Sequence, residues 1–217
     1  MTPLILGWLL SAAPYAPPLP SPSTADSIAS LAPLANREAI EVALAAMHCA
    51  QNSGVGVDAS RLAFIDYSRP STEPRLWVFD IRRNRLLYEE VVAHGQGSGE
   101  NLAKVFSNVS GSHASSLGLF LTRETYHGRN GYSLRMDGLE PGVNDAAMER
   151  AIVMHGAPYV DPLAAGKQGR LGRSHGCPAV REAVARGMID VLKDGQFVFA
   201  YYPDATLLDR TKWKCAG

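Results

Sequence analysis

The stretch Gly172-Arg173-Ser174-His175-Gly176-Cys177-Pro178 sets a cysteine directly after a glycine, and His155-Gly156 stands upstream at the end of the apolar run 151–154. A thiol with a pKa of ~8.5 holds little thiolate at neutral pH, so it becomes a nucleophile only beside a base or in an electropositive setting. An imidazole titrating near ~6.5 can take that proton. Together these residues point to acyl transfer through a cysteine thioester. Without the histidine, Cys177 would read as a buried structural cysteine at a loop junction. Without the cysteine, His155 would read as a satisfied core histidine.

His155 is the expected base. A backbone carbonyl, Gly156 being one candidate, would fix its tautomer. His175 is the alternative base, but side chains two residues apart on an extended loop tend to diverge. Its expected role is to line the site and help hold an oxyanion. Gly176 lets the backbone approach a substrate closely. Pro178 suits the first turn of a helix. Val180, Val184, Met188 and Leu192 form an apolar stripe that Gly195 ends, so the spacing predicts a helix over 179–193. Cys177 would then lie at a helix N-terminus, where the dipole and free N–H groups favour a thiolate and an oxyanion. Arg170 and Arg173 flank the loop and could hold a substrate carboxylate through paired hydrogen bonds. The alternative for each is a solvated loop arginine.

The remaining histidines are less specific. His94 begins His94-Gly95-Gln96-Gly97-Ser98-Gly99, which lacks the lysine-ending pattern of a phosphate loop, and nucleotide binding is rejected. His113 lies in a turn-rich stretch expected to border the cleft. His48 reads as a surface or core histidine on a helix, and His127 as a loop residue. No histidine pair has helical zinc spacing and no Cys-x-x-Cys occurs, so a metal site is the minor alternative here.

These residues need a scaffold. Asn36 is placed to cap a helix with Glu38 in its first turn and Ile40, Ala43, Leu44 and Met47 on one face, ending at Asn52 and Gly54. The period then changes. Residues 62–67, 76–81, 85–93, 117–122, 132–136, 151–155 and 197–202 read as strands, with a hairpin at Arg82-Arg83-Asn84. Asn144 is placed to cap a short helix through Arg150. Strands follow one another without alternating helices, so the chain reads as mainly β with peripheral helices.

The chain has 217 residues, room for one domain and a tail, and its 21 basic residues balance 21 acidic ones. That balance gives no electrostatic reason for nucleic acid or an anionic membrane as partner. Residues 1–16 read as an export signal: 4–10 is a short apolar core and Ala13 and Ala16 offer small cleavage positions, although no Lys or Arg precedes Arg37. The apolar run is far shorter than the ~20 residues that span a bilayer. Residues 17–35 read as a proline-rich linker, 36–205 as the catalytic domain and 206–217 as a tail. Of the three cysteines, Cys49 can pair with Cys215, leaving Cys177 free; the alternative is three free thiols, with Cys49 a small buried hydrophobe.

His155-Gly156 and Ser174-His175-Gly176-Cys177 resemble the paired motifs of the L,D-transpeptidase catalytic domain of the YkuD type. Asp66-Tyr67-Ser68, Arg75-Leu76-Trp77-Val78, Ser115-Ser116-Leu117-Gly118 and the run 169–174 are similar to its murein L,D-transpeptidase branch. The likeness covers roughly residues 60–203. Pro178-Ala179 departs from the common family continuation, an apolar residue and then Asn or Arg. The gap between His155 and Ser174 is slightly long. The resemblance implies a β-sandwich-like fold and an exported or periplasmic enzyme that crosslinks peptidoglycan stem peptides through a Cys177 thioester, without cofactor. It also implies acylation of Cys177 by carbapenems. The matched positions Gly156, Ser174 and Ser116 join Arg170 and Arg173 as the expected substrate-binding set. An L,D-carboxypeptidase, or another murein cysteine amidase or endopeptidase, is the alternative. A noncatalytic wall-binding domain with a relic site is a further one.

Overall fold

The computed structural model describes residues 22–204. The segments expected to be an export signal, the start of the linker and the tail, together with Cys215, lie outside the described residues. From residue 22 the linker reading needs correction, because α1 (Pro22–Ser30) is a helix. Pro22 opens it, where a missing N–H costs nothing, and Pro33 follows its end, so neither proline interrupts it. Ile28 and Ala32 are fully buried in the same core as the next helix. That helix, α2 (Arg37–Asn52), starts where Asn36 Oδ1 accepts the Ala39 N–H at 3.1 Å. Its buried face contains Ile40, Ala43, Leu44 and Met47, as the spacing implies.

The strands are β1 (Arg61–Asp66), β2 (Leu76–Asp80), β3 (Arg85–Glu90), β4 (Gly118–Gly128), β5 (Gly131–Gly138), β6 (Val153–Gly156), β7 (Ala179–Val180) and β8 (Phe197–Tyr201). They form one eight-stranded sheet in the order β3-β2-β1-β8-β4-β5-β6-β7. The β1–β8 and β6–β7 pairs are parallel and the others antiparallel. Just past β3, the Ala93 N–H donates to the Ala179 carbonyl at 2.8 Å, so the two ends of the sheet meet. Closure of this kind protects edges that would otherwise pair with another chain. The layering expected of a sandwich-like fold is thus made by a single curled sheet.

Side chains alternate across it. Leu62, Phe64, Phe197 and Phe199 face α1 and α2 together with Trp77 and Phe79. Ala63, Ile65, Val198 and Ala200 face the other way, where Met188, Ile189 and Leu192 of α4 (Glu182–Leu192) cover them. Each such large apolar side chain contributes about 1.5–3 kcal/mol on burial. The Trp77 indole N–H, on a fully buried ring, donates to Glu89 at 2.8 Å.

Two helix expectations fail. Residues 144–150 form successive turns, not a helix. Asn144 serves the sheet instead: its Nδ2 donates to the Leu117 and Leu119 carbonyls at 2.9 and 3.0 Å, and its Oδ1 accepts from Glu140 N at 2.8 Å. The helix expected from 179 starts only at Glu182. Ala179 and Val180 join β6 as β7, and the Val180 side chain enters the core under α4. The ladder hydrogen bonds of residues 93 and 157 override the local helical pattern. A further short helix, α3 (Pro162–Gln168), fills the connection between β6 and the Cys177 loop.

Candidate active site

β6 brings His155 into register with Ser133 on β5 and Ala179 on β7. The imidazole is buried, and Nδ1 lies 2.9 Å from the Gly156 carbonyl. A carbonyl only accepts, so Nδ1 carries the hydrogen and Nε2 keeps its lone pair. Burial pulls the imidazole below its usual pKa, against the opposing pull of the Gly156 carbonyl. At neutral pH the ring is therefore an uncharged acceptor. Gly156 itself borders α4: a Cβ there would fall 2.8 Å from that of Ala185.

The Cys177 loop is held by hydroxyls. Ser174 Oγ accepts the Gly176 N–H at 3.0 Å and donates to the Cys177 carbonyl at 2.6 Å, closing a tight turn. Ser115 Oγ donates to the Gly176 carbonyl at 3.1 Å and accepts the Gly95 N–H at 3.0 Å. Ser174 also pairs with the neighbouring loop, its N–H donating to His94 O and its carbonyl accepting from Gln96 N. Gly176 has φ +119°, and a Cβ there would lie 2.9 Å from both the Ala114 carbonyl and Ile152 Cδ1. Beneath this sits a buried polar layer. Arg75 donates to Val92 O and to His94 Nδ1 at 2.7 Å, and its guanidinium lies over the Tyr67 ring at 5.3 Å. Burial and the Arg75 charge pull His94 down to about 4, so it stays neutral.

Gly95 packs most tightly of all against this loop. A Cβ there would lie 2.2 Å from the His113 carbonyl and 2.8 Å from Gly176 Cα. Gly95→Ala is expected to destabilise the fold by about 1–3 kcal/mol and to displace the Cys177 loop. Urea unfolding and Cys177 alkylation rates check this; wild-type values in both would contradict the packing argument.

Cys177 is a free, buried thiol. Its Sγ lies 3.5 Å from Val153 N and 3.7 Å from Ala151 O. Burial pushes the thiol up, while the Val153 N–H, the Arg150 charge and its own backbone N–H pull the other way. Its place differs from the expected helix start, since β7 and Arg181 intervene before α4. Val153, whose N–H meets the sulfur, precedes His155 by two residues on β6, a distance of about 7 Å along the strand. Among the described residues no hydrogen bond joins Sγ to an imidazole.

His175 is exposed and stacks on His113, with centroids 4.2 Å apart and planes 8° from parallel. His113 Nδ1 is held by Gln96 Nε2 at 2.9 Å. The Gly176 N–H is occupied by Ser174 Oγ. The expected substrate-binding residues are mostly occupied as well. Arg170 and Arg173 share Glu100, at 2.8 and 2.9 Å. Ser174 shapes the turn, and Ser116 Oγ donates to Ser107 O and accepts from Arg150. Sequence reasoning missed Arg150, Ser115 as a loop anchor, and Tyr159, which covers Gly172 and whose phenol burial pushes up to about 12. Ser115 stands in the Ser115-Ser116-Leu117-Gly118 motif, whereas Arg150 and Tyr159 carry no local signal.

Cys49 is disulfide-bonded, which excludes three free thiols; its partner is outside the described residues. No helix among the described residues is long and apolar enough to cross a membrane.

The chain is thus a closed β-sheet domain with a free thiol clamped beside a strand that carries a neutral histidine. A sequence model of the L,D-transpeptidase catalytic domain matches residues 32–201, so the chain belongs to that family. No curated protein matches it. Among solved structures it is similar to the helical cell shape determining protein of Campylobacter jejuni, at 12% identity over 67% of this chain and 48% of that one, with a TM-score of 0.45. It is also similar to an L,D-transpeptidase from Mycobacterium smegmatis, at 15% identity over 66% and 59%, TM-score 0.41. One from Stackebrandtia nassauensis shows 12% identity over 84% and 90%, TM-score 0.39. The chain spans about half to three-fifths of the length of the first two.

Proposed function

We propose that this protein is an exported peptidoglycan L,D-transpeptidase working through a Cys177 thioester, with His155 as proton carrier. The observation that carries the reading is the free thiol, fixed by Ser174 and Ser115 beside β6, with an imidazole whose Nδ1 is committed to Gly156 and whose Nε2 is open. Family membership supplies the reaction class.

His155 Nε2 takes the thiol proton as Sγ attacks the carbonyl carbon of the bond between the L-centre of diaminopimelate and a terminal D-Ala. The Cys177 N–H donates to the developing oxyanion. Collapse breaks the C–N bond; the D-Ala amine leaves with the proton from His155, and a thioester remains. An amine of a neighbouring stem peptide then attacks the thioester, a new amide forms, and the thiol is regenerated with its proton. The missing thiol–imidazole bond is consistent with this, because catalytic hydrogen bonds commonly tighten only with substrate bound. A substrate carboxylate reaching Arg170 or Arg173 must compete with Glu100.

Incubation with a disaccharide-tetrapeptide, followed by mass spectrometry, tests the reading. The expected result is loss of terminal D-Ala with formation of crosslinked dimer, blocked by a carbapenem that adds to Cys177. Loss of D-Ala without dimer would make the enzyme an L,D-carboxypeptidase. Cleavage elsewhere in the stem, or an inert Cys177, would overturn both.

A further inference from the structure

Arg150 lies in the run of turns before β6 and is half-buried. All its side-chain hydrogen bonds among the described residues go to one loop. Nη1 donates to Ser107 O at 2.6 Å and Ser116 Oγ at 2.5 Å. Nη2 donates to Ala114 O at 2.6 Å and Ser112 Oγ at 3.3 Å. Two carbonyls and two hydroxyls orient a guanidinium without cancelling its charge. Arg170, Arg173 and Arg181, by contrast, each meet a carboxylate. The group points at the Cys177 loop: Nη2 lies 3.4 Å from where a Gly176 Cβ would stand, and Ala114, whose carbonyl it binds, packs on Gly176. The next residue, Ala151, has φ +53° and turns its carbonyl to Cys177 Sγ. The charged or titratable side chains that interact with the Cys177 sulfur are Arg150, Tyr67 and Tyr159. Of these, Arg150 alone is permanently cationic.

We propose that Arg150 is the positioning residue of the Cys177 site, holding the 107–116 loop against Gly176 and supplying the fixed positive charge that stabilises the Cys177 thiolate. It fills the place that a helix N-terminus would have taken had α4 begun at the cysteine. Burial alone raises the cost of the thiolate, and a nearby unpaired guanidinium offsets it. The charge acts at the moment His155 removes the proton, so it lowers the energy of a thiolate–imidazolium pair that desolvation otherwise disfavours.

The inference rests on Cys177 being the reactive thiol, but its test reads thiol acidity whatever the substrate. The rate at which iodoacetamide alkylates Cys177 is followed against pH by mass spectrometry in wild type, Arg150→Gln and Arg150→Lys, with circular dichroism checking the fold. The expected result is an inflection raised by about one pH unit in Arg150→Gln and restored to within about half a unit in Arg150→Lys. An unchanged inflection in Arg150→Gln overturns the proposal, as does an equal rise in both variants, which would leave only loop anchoring. Should Arg150→Gln not fold, Arg150→Lys decides alone: an inflection near wild type supports the charge, and a full-unit rise overturns it. Failure of the nucleophile reading would show separately, as full muropeptide turnover in Cys177→Ala.

Discussion

Cys177→Ala is expected to lower muropeptide turnover by roughly 10⁴-fold or more while leaving the fold intact. The chemical half follows from the reaction: without sulfur no thioester forms, and no other described cysteine carries a free thiol. The structural half follows from the loop. Ser174, Ser115 and the backbone of residues 94–96 hold it, whereas the sulfur makes only long contacts at 3.5 and 3.7 Å. Removing it empties little volume, so the cost is about 1 kcal/mol and the melting temperature falls by only about 2–4 °C. Product formation followed by mass spectrometry, beside a thermal melt, checks both. A folded Cys177→Ala protein with more than a tenth of wild-type turnover would end the thioester mechanism.

His155→Ala is expected to slow acylation of Cys177 by about 10²–10⁴-fold, and His175→Ala by less than about tenfold. His155 has its tautomer set by Gly156 at 2.9 Å and sits on the strand whose backbone meets the sulfur. His175 is exposed and occupied by stacking on His113. The pH dependence gives a second readout. Below its pKa His155 is protonated and cannot accept, so acylation falls on the acid side. Burial has lowered that pKa from 6.5, so the acid limb should lie below 6.5. In His155→Ala this limb should vanish. Burial has also raised the thiol above its ordinary value, so the resting pair is neutral across the physiological range, and proton transfer belongs to the chemical step. The opposite ranking of the two histidine variants at neutral pH would move the base to His175.

The strands and α2 were legible because their signals are local. Alternation in residues 62–66 and 197–201 sorts side chains onto two faces of one sheet, and Asn36 caps α2 through its own side chain. The failures share a cause. Val180, Val184, Met188 and Leu192 have helical spacing, yet Val180 is worth more in a ladder beside β6, which its neighbours in sequence cannot reveal. Asn144 looks like a cap and is instead a bracket between β4 and the turn at Glu140. Prolines near residue 22 suggested a linker, but their positions at the ends of α1 leave its buried face unbroken.

The site divides the same way. Its candidate reactive groups are visible in one dimension: a cysteine after a glycine, a second histidine upstream, and motifs matching the L,D-transpeptidase catalytic domain. Residue type and short spacing set what chemistry is available, and both are properties of the chain itself. Which charge stands beside the thiol, which N–H is left for an oxyanion and which arginines are already neutralised depend on contacts between segments tens of residues apart. Arg150 reaches Ser107 across 43 positions and Ser115 reaches Gly176 across 61. Only the closed sheet brings those segments together, and it sets Arg150, rather than a helix end, against the Cys177 loop.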